Sequence, residues 1–64
     1  MSRAELLERA HAELGHLVAP HRLEYLMGIG RVSRPRLVSG RHDYRADHLQ
    51  QLLRAERAKA KAAK

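Results

Sequence analysis

The chain has 64 residues, with thirteen Lys and Arg against seven Asp and Glu, five His, no Cys and a formal net charge of +6. A chain this short buries only about 60% of the surface its unfolded form exposes, which limits it to one thin-cored domain and excludes a ligand barrel or a large catalytic cleft. The absence of cysteine excludes disulfides and thiolate metal sites and fits a reducing cytosol.

The positive balance favours an anionic partner, and nucleic acid is the commonest polyanion of a cytosol. Excess charge also keeps a small protein soluble, so its distribution along the chain carries the argument. Ser2 followed by Glu5 is a capping box, in which the hydroxyl accepts the Glu5 N–H and the Glu side chain reaches back. Behind it Leu7, Ala10, Leu14 and Leu17 recur at helical spacing, with Leu6 widening the stripe. Gly15 enters the left-handed region without penalty, so a helix is predicted over Arg3–Leu14. Arg3, Glu5, Glu8 and Arg9 interrupt the apolar residues here, so the stretch does not read as a signal peptide. No apolar run approaches the length that spans a bilayer.

Pro20 suits the first turn of a second helix, where its missing N–H costs nothing. Leu23, Leu26 and Met27 stand at i, i+3 and i+4 and form its buried stripe. His21, Tyr25 and Gly28 then project to the opposite side, with Arg22 and Glu24 on the two flanks. His21, Arg22 and Tyr25 are therefore placed to meet a partner and to be replaced without opening the core. Glu24 reads as a structural partner for a nearby arginine ahead of an acceptor for a cytosine amino group. Gly28 and Gly30 end the helix. Two short helices joined by roughly four residues have helix-turn-helix spacing.

Ser39-Gly40 is a two-residue hairpin turn signal. It pairs Val38 with Arg41, Leu37 with His42, Arg36 with Asp43 and Pro35 with Tyr44. One face then carries Pro35, Leu37, His42 and Tyr44, suited to packing on the helices; the other carries Arg36, Val38, Arg41 and Asp43. Pro35 suits an edge position, where its lack of a donor is tolerated. A third helix begins at Ala46, with Ala46, Leu49 and Leu53 on one face and Leu52 adjoining. Past Leu53 the chain holds strong helix formers but only alanine for burial, so the helix is predicted to continue and fray toward Lys64. The chain thus divides into a domain over 1–53 and a basic Ala/Lys-rich helical tail over 54–64. In the tail, Arg54, Arg57, Lys61 and Lys64 follow i+3 and i+4 spacing, as a solvated face or one lying along a phosphate backbone or a second protomer. No sustained heptad follows, so no long coiled coil is expected.

Helix, helix, arginine-rich hairpin and helix is the order of a winged helix-turn-helix. "VAPHRLEYLMGIGRVSRPR" resembles the second helix and following strand of MerR-like regulators, and "SGRHDYRADHLQQL" resembles their wing and third helix. The resemblance covers about Leu6 to Leu53 and extends to the small excisionases, which share this head without an effector domain. It implies that Tyr25 meets a phosphate through its hydroxyl, that His21 and Arg22 face a DNA groove, and that Arg36 and Arg41 approach the backbone or minor groove. Three departures stand out. Ala19 replaces the usual hydroxyl N-cap of the second helix; His42 stands where arginine is common; and Arg45 replaces the Ser, Thr or Asp that opens the third helix, with Asp47 compensating through the helix dipole.

Arg22, Arg31, Arg34, Arg36 and Arg41, with few local acids, read as phosphate-neutralising rather than as a merely solvated surface. The candidate interface is therefore His21, Arg22, Tyr25, Arg31, Arg34, Arg36 and Arg41, with His21, Arg22 and Tyr25 within reach of base edges and Tyr25 equally placed to pack against the wing. The five histidines lie on different faces and elements without HxxxH spacing, so no metal site is expected. No serine has an assigned base and acid, and Gly28-x-Gly30 lacks the strand-to-helix context of a phosphate loop. The chain is expected to be neither an enzyme nor a cofactor or effector binder. The expected partner is double-stranded DNA in the cytoplasm, at the nucleoid, bound by protomers side by side on repeated sites, with no membrane partner. Its role is that of an excisionase-like recombination factor or a minimal transcription regulator. The rival reading is a basic adaptor binding RNA or an acidic protein; RNA readers usually present stacking aromatics, and here only Tyr25 and Tyr44 occur.

Overall fold

A computed structural model describes residues 1–62 as α1 (Arg3–Leu14), α2 (Pro20–Gly28), β1 (Arg36–Val38), β2 (Arg41–Asp43) and α3 (Ala46–Ala62). The architecture is a small, mainly helical domain with one two-stranded antiparallel hairpin. The third helix is the spine, since both α1 and α2 pack on it. No helix of the described residues is long and apolar enough to cross a membrane.

Local chemistry sets each boundary. Ser2 caps α1, its Oγ accepting the Glu5 N–H at 3.1 Å. The reciprocal half of the expected capping box does not form: the Glu5 carboxylate turns outward to Arg9, one turn on, at 3.4 Å. Gly15 closes α1 with φ +79° and donates to the His11 carbonyl. Pro20 opens α2, whose cap residue Ala19 offers no side-chain bond. Gly28 stays inside α2, and Gly30, at φ +79°, terminates it. The Gly30 N–H bonds the Met27 carbonyl and the Arg31 N–H bonds the Leu26 carbonyl, the paired bonds of a Schellman motif. Arg45 lies just before α3 and its side chain offers no acceptor for the first-turn N–H groups; an unanticipated bond supplies the reciprocal half of a capping box instead. The Arg45 backbone N–H donates to His48 Nδ1 at 2.9 Å, with His48 standing where a capping-box Glu normally does.

The core gathers Leu6 and Ala10 of α1, Val18 of the turn, Leu23, Leu26 and Met27 of α2, Val32, Tyr44, and Leu52 and Leu53 of α3. Each fully buried leucine contributes roughly 1.5–3 kcal/mol relative to exposure. Leu7, Leu14 and Leu49 are half-buried against it, and four positions expected to pack inward are exposed: Leu17, Leu37, His42 and Ala46. Leu17 is 78% exposed and Val18 takes the buried place, because left-handed Gly15 resets the phase of the chain before the α1 stripe reaches Leu17. Ala46, at the first turn of α3, is exposed. Leu37 is 65% exposed.

The hairpin explains Leu37. Its register is Arg36 with Asp43, Leu37 with His42 and Val38 with Arg41, as the turn signal requires. Ser39 and Gly40 both hold positive φ, +51° and +77°, the signature of the primed turn whose twist suits short hairpins. Three-residue strands leave the hairpin beyond the helices, so neither of its faces is buried. It is tied down at its base instead. The Tyr44 side chain is buried, with the rings of His42 and His48 edge-on to it at 6.4 and 5.6 Å. Its backbone exchanges bonds with Met1, the Tyr44 N–H donating to the Met1 carbonyl at 2.9 Å and the Met1 amino group to the Tyr44 carbonyl at 2.6 Å.

Candidate nucleic-acid interface

Three elements present the candidate residues. The outer side of α2 exposes His21 and Tyr25, opposite the buried Leu23, Leu26 and Met27. The segment after α2 carries Arg31 and Arg34, and the hairpin carries Arg36 and Arg41; all four side chains are exposed. That segment is held against the helices at two points: Val32 is buried, and the Ser33 N–H donates to Gln51 Oε1 of α3 at 2.6 Å. Backbone anchored this way fixes where Arg31 and Arg34 start while leaving their heads in solvent.

Charge is distributed unevenly. Between Glu24 and Asp43 the sequence holds four arginines and no acid. The arginine–carboxylate ion pairs among the described residues use Arg9, Arg22 and Arg45, none of them from that segment. Arg31, Arg34, Arg36 and Arg41 make no side-chain hydrogen bond or ion pair with any described residue. Desolvating such cations against a polyanion sacrifices no internal partner.

Arg22 differs from the rest. Its Nε donates to Glu56 Oε1 of α3 at 2.8 Å, and its guanidinium lies over the Tyr25 ring, 5.4 Å from the centroid. Glu56 is only 7% exposed, and its second carboxylate oxygen lies 3.9 Å from His16 Nε2. Arg22 is therefore not replaceable at no cost to the fold: truncating it strands a buried carboxylate. Sequence reading missed Glu56 because it sits in a run of charged and alanine residues that looks solvated. The available signal was phase, since Glu56 lies four residues after Leu52 and three after Leu53.

Two ionisable neighbours shape the hairpin's base. The Met1 amino group, 3.4 Å from Asp43 Oδ1, holds the Asp43 carboxyl below its ordinary value, with Arg45 acting in the same direction. Burial pushes the Tyr44 phenol above its ordinary value, and the Glu24 carboxylate adds to the rise. Glu24 itself pairs with no arginine among the described residues.

Along α3 the helix runs through residue 53 without a break, and Ala55 and Glu56 still pack against the domain. Arg54, Arg57 and Lys61 are exposed; Lys64 and the fraying expected toward it lie outside the described residues. Among the described residues no group of three or more His, Asp or Glu is placed to hold a metal ion. Comparison with protein-family models, curated proteins and solved structures finds no match to this chain.

Proposed function

We propose that this domain is a MerR-like winged helix-turn-helix that binds double-stranded DNA, as an excisionase-like recombination factor or a minimal transcription regulator. In this reading α2 enters the major groove with His21 and Tyr25 outward and Arg22 on its flank, held by Glu56, and the Ser39-Gly40 hairpin follows the adjacent backbone. The observation that carries it is the acid-free segment with four exposed arginines lacking any described internal partner. Phosphate contacts from Arg31, Arg34, Arg36 and Arg41 fix position and orientation, and base contacts from α2 supply sequence preference. With so few base-reading side chains, specificity comes from protomers side by side on repeated sites.

The test is electrophoretic binding to random duplex DNA, structured RNA and single strands at matched salt. The proposal expects preference for duplex and a log affinity that falls linearly with log salt, with a slope of about 0.9 per phosphate neutralised. Preference for RNA, or affinity for an acidic protein without affinity for duplex, would replace it with the adaptor reading. Selection from a random duplex pool then asks whether α2 reads bases; a pool that yields no motif leaves a binder of shape and backbone alone.

A further inference from the structure

The two flanks of α2 have opposite electrostatic characters. On the Glu24 flank, the cleft toward the hairpin mixes Arg3 and Arg41 with Glu24 and Asp43. On the Arg22 flank, α2 and the second half of α3 border an open groove of about 390 Å³ lined by Arg22, Tyr25, Ile29, Arg31, Ala58 and Lys59, among others. Its walls are apolar and aromatic, its charged lining residues are all cationic, and the acid beneath it, Glu56, is already bonded to Arg22.

Lys59 has an unusual place on its helix. With about 100° between successive residues, it stands on the same side of α3 as Leu52, Ala55 and Glu56, one turn beyond the last of the buried residues. The inward stripe therefore ends in a lysine directed at α2. The basic residues Arg54, Arg57 and Lys61 stand on the other side. Arg22 is fixed on two counts, by the Glu56 bond at Nε and by the Tyr25 ring under its plane. Neither of its Nη groups has a hydrogen-bond partner among the described residues. A guanidinium held through Nε presents its remaining donors as a fork, the geometry that suits a phosphate.

Resting on the duplex-binding reading, we propose that the α2–α3 groove holds a phosphate of the DNA backbone, with Arg22, Arg31 and Lys59 as its cationic donors. Glu56 is a positioning residue that acts through Arg22. The helix α3 thereby becomes a third contact element, on the opposite flank of α2 from the hairpin, and α2 is gripped on both sides.

Two lysines two residues apart make the test clean. Lys59→Gln and Lys61→Gln remove the same charge from exposed positions on opposite sides of α3. Fluorescence anisotropy with a duplex at several salt concentrations is expected to show the salt slope of Lys59→Gln reduced by about 0.9 and that of Lys61→Gln unchanged. Glu56 gives an opposing-sign test. Glu56→Met raises the net charge by one, so non-specific attraction alone would tighten binding, whereas loss of positioning weakens it. Glu56→Gln retains a carbonyl acceptor for Arg22 Nε and is expected to bind nearly as the native chain, with thermal unfolding confirming that each variant folds. Equal slopes for the two lysine variants, or tighter binding by Glu56→Met, overturn the groove site. If Arg36→Ala/Arg41→Ala weakens duplex binding while Lys59→Gln does not, the groove fails and the duplex reading stands. A native chain without affinity for duplex DNA removes both.

Discussion

The three helices and the hairpin use their side chains for different ends. In the helices, positions three and four apart are buried together, and the identity of Leu6, Leu23 or Leu52 matters because each fills space in one shared core. In the hairpin, every residue of β1 is exposed, and the pair of strands is kept in register by backbone bonds and a primed turn. Its side chains are therefore at liberty to serve a partner. The comparison teaches that the side chains that hold the fold and the unpaired exposed arginines are segregated along this chain, except where Arg22 meets the buried Glu56.

The sharpest way to break that comparison is at the core. Leu23→Ala, at a fully buried site, is expected to cost about 2–5 kcal/mol, while Leu37→Ala stays within about 0.5 kcal/mol, the usual range for surface positions. Denaturant unfolding measures both; similar losses would mean that the hairpin does belong to the core. Next comes Arg22, which holds a buried acid and belongs to the proposed interface. Arg22→Ala leaves the buried Glu56 carboxylate without its donor and is expected to cost about 2–3 kcal/mol, as well as weakening duplex binding. A thermal scan indistinguishable from the native chain would move Arg22 wholly to the binding side.

The complementary case is Arg36→Ala/Arg41→Ala. Stability should be unchanged within about 0.5 kcal/mol, and the slope of log affinity against log salt should flatten by roughly 0.9 for each phosphate no longer neutralised. An unaltered slope removes the hairpin from the interface. The smallest effect is at Asp43, whose folded pKa is depressed chiefly by the Met1 amino group. A depressed carboxyl stabilises above its unfolded pKa, and that stabilisation is lost as pH falls through the folded one. The melting temperature of Asp43→Asn should therefore fall less steeply than the native value on acidification below about pH 4. Parallel curves would show that the pair contributes nothing.

Most of the fold was legible because its signals are local. Ser2 and Gly15 bracket α1, Pro20 opens α2, and Ser39-Gly40 dictates a register that the strands obey. What was not legible depends on contacts between distant elements. Whether Leu37 packs depends on how far the hairpin stands from the helices, which no alternation pattern encodes. Glu56 is buried because Arg22, 34 residues earlier, arrives opposite it. The site was legible as a composition of arginines between Glu24 and Asp43. That one of the candidate arginines, Arg22, is held by an acid and the others are not required the assembled structure.

Ser39 has a consequence of its own. Its φ of +51° places a residue with a Cβ in the left-handed region, which costs an ordinary L-residue roughly 1–2 kcal/mol. For a hairpin of two three-residue strands with neither face buried, that is a large fraction of the energy holding the turn closed. The tip should open and reclose locally while the helices remain folded, so a partner meets a population of hairpins rather than one shape. Apparent affinity is then scaled by the closed fraction. Asparagine at this position, which tolerates the left-handed region better, would shift that population toward the closed form, and the gain would appear in how quickly the complex forms.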